Sequence, residues 1–60
     1  MRVIFYNVRQ GDPVELEMQQ VPRTHDEITL DSGTTYRVES VRWQVTSAGL
    51  REAGLTLQPL

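Results

Sequence analysis

The chain has no cysteine, no lysine and one histidine, and no apolar run in it approaches the roughly 20 residues that a membrane-spanning helix needs. Each absence excludes something. Without cysteine, no disulfide staples the fold and no thiolate metal site exists. With His25 as the lone histidine, a multi-histidine zinc site within one chain is ruled out, and no cofactor is expected. All positive charge rests on Arg2, Arg9, Arg23, Arg37, Arg42 and Arg51. A GC-rich genome accounts for that bias more simply than selection for the planar guanidinium fork. The net charge of −2 argues against a nucleic-acid binder that depends on phosphate neutralisation. Acidic residues are scattered, so there is no acidic tail. The start, Met1-Arg2-Val3-Ile4, reads as a strand with no signal-peptide pattern, which makes the cytoplasm the expected compartment and gives no role to a membrane.

What is present is short and β-patterned. Sixty residues form a single expected domain, 1–60. A chain of that length buries only about 60% of its unfolded surface. Stability must therefore come from a compact core, from sheet closure, or from a partner or second copy. Residues 2–8 are β-branched and aromatic, as a pleated surface favours. Arg9-Gln10-Gly11-Asp12-Pro13 is a turn cluster. Over 14–21, Val14, Leu16 and Met18 alternate with Glu15, Glu17 and Gln19, the mark of one buried and one wet face. A hairpin with Val8 opposite Val14 would set Tyr6 against Leu16 and Ile4 against Met18, all on one side. That register strands Val3 and Phe5 on the other face.

Residues 26–31 and 34–46 read as a second hairpin around Ser32-Gly33-Thr34, with Gly33 in the left-handed region. Leu30 is expected opposite Tyr36, and Ile28 opposite Val38. The alternation of Tyr36 and Val38 slips by one before Val41, Trp43 and Val45, so a β-bulge is expected near 39–40. Ser47 to Gly54 reads as a loop, because two glycines so close weaken a helix. A last strand is expected at 55–58, pairing Trp43 with Leu57 and Val45 with Leu55. Five strands with short turns and one mid-strand bend predict an all-β, five-stranded SH3-like small barrel.

The spacing Pro-x3-Asp-x-Ile-x-Leu-x2-Gly-x2-Tyr-x-Val-x2-Val-x-Trp, from Pro22 to Trp43, resembles a pattern in small uncharacterised bacterial and phage proteins with SH3-like folds. A glycine often precedes the Asp in those proteins, and His25 stands there in this chain. The matched third of the chain consists of turn and core residues. It therefore implies a fold and carries no catalytic residue across.

Chemistry-bearing constellations are scarce. His25 has no Ser partner on a strand-to-helix elbow, so a nucleophilic triad is not supported. Gly11, Gly33, Gly49 and Gly54 stand in separate turns and make no phosphate cradle. Glu15 and Glu17 belong to a solvated strand face. The chain is therefore read as no enzyme. The function expected is a non-enzymatic protein-interaction module, which the resemblance suggests is a phage-derived accessory or inhibitory protein. Its partner is another protein or a second copy of itself. The expected partner-binding residues are Val3 and Phe5 as an exposed patch, with Leu50, the one large apolar residue of the 47–54 loop. The alternative is a nucleic-acid-binding barrel that uses Arg2, Arg37 and Arg42 as a basic stripe, with Phe5 stacking a base.

Overall fold

The computed structural model describes residues 1–8, 13–49 and 51–60, and these build one five-stranded sheet. The strands are β1 (Arg2–Tyr6), β2 (Val14–Glu17), β3 (Glu27–Thr29), β4 (Thr35–Val45) and β5 (Arg51–Pro59). Their order across the sheet is β2-β1-β5-β4-β3. β1 and β5 run parallel at the centre, and every other neighbouring pair is antiparallel. The all-β class and the strand count agree with the sequence pattern. The turn cluster expected at Arg9–Pro13 lies outside the described residues except for Pro13, as does Leu50.

The bulge falls where the change of phase placed it. The β4–β5 register steps from Val38↔Leu57 to Ser40↔Thr56, leaving Glu39 as the extra residue. The step returns Val41 and Trp43 to the same face as Tyr36 and Val38. Gly33 has a φ of 88°, as the hairpin turn requires. Within the two C-terminal hairpins the expected pairings are displaced along the strands. Ile28 faces Tyr36, Trp43 faces Ala53 and Val45 faces Arg51. Each displacement is an even number of residues, so the buried face is preserved.

β2 ends at Glu17, short of the expected residue 21, and two further expectations are overturned. β5 begins at Arg51, so Glu52-Ala53-Gly54 is strand and not loop. The β4–β5 turn is confined to the residues after Val45, where Gly49 takes a φ of 85° and donates its N–H to the Thr46 carbonyl at 2.9 Å. Ala53 and Gly54 are small because of what lies over them in the sheet: Ala53 is fully buried, and Gly54 lies under the Tyr6 ring.

The second correction concerns β1. Its observed partners are Val3↔Leu16 and Phe5↔Val14, an odd displacement from the expected hairpin, which reverses the faces. Val3 and Phe5 are buried core residues, and Tyr6 is 42% exposed on the opposite side. Asn7 is the cause. Its φ of 64° turns the chain through the left-handed region that Asn tolerates better than most residues. The alternation is thereby broken, and Val8 is buried together with Val3 and Phe5.

The core is thus the inner face of the sheet: Val3, Phe5, Val8, Tyr36, Val38, Ala53, Leu55 and Leu57. Met18 and Val21, from the segment that connects β2 to β3, pack against it. That segment reaches β4 through paired bonds: His25 N–H donates to the Val38 carbonyl and Val38 N–H to the Asp26 carbonyl, each at 2.8 Å. Asp26 closes the turn, its carboxylate accepting the Arg23 N–H at 2.9 Å. His25 holds a φ of 79° there, in the left-handed region that favours glycine. A non-glycine residue in that region costs about 1–2 kcal/mol. His25→Gly is therefore expected to raise stability by about 0.5–1 kcal/mol, after the greater unfolded-state entropy of glycine is subtracted. Thermal melts of the two chains check this; an unchanged or lower midpoint contradicts it.

Candidate interaction surface

Register assigns every side chain of the central strands to one of two faces. On the outer face stand Arg2, Ile4 and Tyr6 of β1, Glu52, Gly54 and Thr56 of β5, and Ser40, Arg42 and Gln44 of β4. No second layer covers this face among the described residues. A Cβ on Gly54 would lie 3.0 Å from Cε2 of Tyr6, so the ring rests against the bare glycine backbone. The missing side chain leaves an open trough of about 550 Å³ between Tyr6 and Arg42, with Gln44 and Glu52 at one end.

Charges on this face largely cancel. Arg2 lies 3.1 Å from Glu52 and 4.0 Å from Glu15, each a neighbour across a strand pair. Arg37 lies 3.4 Å from Glu27, its direct partner on β3. These pairs are solvent-exposed and contribute roughly 0–1 kcal/mol each. Arg42 has no ion-pair partner within 4.0 Å among the described residues. The expected basic stripe is therefore reduced to one unpaired guanidinium beside Glu52. Phe5 is buried and cannot stack a base. No group of three or more His, Asp or Glu able to hold a metal occurs among the described residues. Among the described residues no helix is long and apolar enough to cross a membrane.

The inner face ends differently at its two sides. One row across the sheet reads Leu16, Val3, Ala53, Trp43. Its middle members are fully buried, while Leu16 is 43% and Trp43 50% exposed. Two residues further along β4, Val45 is 63% exposed. The β4–β5 hairpin outruns the segment that covers the core, so its apolar side is bare.

The same stretch of β4 is also an open edge. β3 pairs with β4 only at Thr35–Arg37, and His25 and Asp26 extend the pairing to Val38. Among the described residues nothing pairs with that edge from Ser40 to Val45. Beside it lies a shallow hollow of about 310 Å³, lined by Val21, Pro22, Arg23, Thr24, Val41 and Trp43.

Comparison with protein-family models, with curated proteins and with solved structures found no match to this chain. The surface must be read from its own chemistry. Of the residues expected to bind a partner, Val3 and Phe5 are core, and Leu50 lies outside the described residues. Trp43 and Val45, which alternate inward after the bulge, are instead exposed, as are Leu16, Tyr6, Met1 and Leu60 elsewhere on the chain. The signal that separates them is length: β4 extends seven residues beyond Val38, its last pairing with β3 or the turn before it, which a fully covered strand would not do.

Proposed function

We propose that the chain is a non-enzymatic protein-interaction module acting in the cytoplasm, as an accessory or inhibitory protein of the phage type that Pro22–Trp43 resembles. Its contact surface is the open edge of β4, carrying Trp43 and Val45, in place of Val3 and Phe5. The observation that carries this reading is a half-exposed tryptophan on an unpaired strand edge. Sheet edges with free N–H and C=O groups recruit further strands, and tryptophan is the residue type most enriched among dominant contact residues. The SH3-like description of the fold rests on five strands with no helix among the described residues and the bulge in β4; the parallel β1–β5 pair departs from it. The nucleic-acid reading ranks second, because two of its three arginines already face carboxylates.

The test compares the two faces of one hairpin. A photo-crosslinking amino acid is placed singly at Trp43, Val45 and Thr56 and irradiated in the living cell. Adducts are expected from Trp43 and Val45 and not from Thr56, which lies on the outer face. Equal yields from all three positions, or adducts only from Thr56, would remove this surface from consideration.

A further inference from the structure

Resting on that reading, we propose that the partner taken by the β4 edge is a second copy of this chain, added antiparallel in a register centred on Trp43.

The stretch Val41-Arg42-Trp43-Gln44-Val45 is palindromic in kind: apolar, polar, apolar, polar, apolar. Two copies related by a two-fold axis present the same patch to each other, so residue i meets j and j meets i. Antiparallel addition about Trp43 sets Trp43 against Trp43, and Val41 against Val45 twice, all on the inner face. It sets Arg42 against Gln44 twice on the outer face. The neighbour of Gln44 on β5 is Glu52, so each guanidinium meets a polar side chain backed by a carboxylate. Moving the centre to Arg42 would oppose two guanidinium groups, which is destabilising. Moving it to Gln44 would set Val41 against Ser47. Odd shifts would turn the apolar residues of one copy to the wet face of the other. Charge and apolar matching therefore select one register.

The hollow beside β4 fits the same arrangement. In this register Val45 of the second copy arrives opposite Val41, at the depression that Val21, Pro22, Val41 and Trp43 line. Val45, 63% exposed in the single chain, thereby gains an apolar seat, and the contact occurs twice. Self-association through β1 or β5 is not available, since both are interior strands with neighbours on both sides. Pairing two β4 edges would give one continuous ten-stranded sheet.

The chain contains no cysteine, so introduced thiols report geometry without background. Opposed residues in an antiparallel pair have Cα atoms about 4.5–5.5 Å apart, within disulfide range. Two Val41 residues, or two Val45 residues, would be offset by about 13 Å along the strands. Oxidised mixtures of Val41→Cys with Val45→Cys chains should give a covalent dimer, and either variant alone should not. Sedimentation of the unmodified chain should show twice the chain mass at hundreds of micromolar. Trp43→Glu should weaken the dimer by at least about 30-fold; Val45→Lys serves as an independent second variant. Cross-linking of either single variant, or a dimer indifferent to both surface substitutions, overturns the register. A monomer at every concentration overturns the second copy as partner. If Trp43 and Val45 still give photo-adducts with other proteins, the interaction reading survives that result; if they give none, both fall.

Discussion

Phe5→Ala is expected to leave the chain unfolded or nearly so at room temperature. Phe5 is among the largest fully buried side chains, on a central strand between Val14 and Leu55. Truncating a buried phenylalanine costs about 3–5 kcal/mol in lost transfer energy and residual cavity. A 60-residue domain has a total stability of only about 3–9 kcal/mol at typical values per residue. The loss is therefore comparable with the whole. Urea titration followed by far-ultraviolet circular dichroism checks it, with Tyr6→Phe as the control on the opposite face of the same strand. Tyr6→Phe keeps the ring against Gly54 and should change the midpoint little. A Phe5→Ala midpoint close to the unmodified chain would mean that Phe5 faces solvent, and the assigned β1 register would be wrong.

Ala53→Phe is the second large effect, of opposite kind. Ala53 has no exposed surface and stands in one row with Val3 on β1 and Trp43 on β4. Its methyl group is what the space between those neighbours admits. Overpacking a filled core position costs typically about 1–3 kcal/mol, and adding an entire ring should reach the upper end or exceed it. Ala53→Gly removes only a methyl group and raises strand entropy, so its cost should be nearer 1 kcal/mol. The comparison separates a site that is sterically full from one that merely prefers alanine. If the phenylalanine variant melted within a degree or two of the parent, residues 51–54 would be a loop after all. Its tryptophan fluorescence is a second readout, because a displaced Trp43, the sole tryptophan, would change its solvent exposure.

These two residues also mark where sequence patterning succeeds and where it stops. The run from Ile28 to Val45 carries its faces legibly. Ile28, Tyr36 and Val38 are apolar in alternation, the change of phase at Glu39 shows as a one-residue slip, and Gly33 marks the turn. Errors of register there were even, so burial survived them. β1 offers no such guide. Val3 and Phe5 on one face and Ile4 and Tyr6 on the other are all apolar, so alternation cannot choose between them. The choice is made by tertiary contacts with β5, and by Asn7, whose left-handed conformation resets the count before Val8. Asn at a strand end was the available clue. For Ala53 and Gly54, smallness has two physical meanings, backbone freedom and close approach, and only the neighbouring strands distinguish them. The candidate surface was hidden for a related reason. Trp43 and Val45 obey the inward rhythm of their strand, yet the covering segment ends before it reaches them.

The central parallel pair has a consequence for how the molecule comes into being. β1 and β5 are the first and last strands along the chain, and their hydrogen bonds join the two halves of the sheet. The β1–β2 pair on one side and the β3–β4 pair on the other can each form locally, but neither half can bury Phe5 or Leu55 until the final strand arrives. During synthesis the growing polypeptide must therefore wait with its oily surfaces uncovered, and assembly is slow for so small a molecule because the decisive contacts span nearly its entire length. Cells making it in quantity should depend on chaperones that hold nascent chains, and loss of residues from the last strand should be felt first as aggregation.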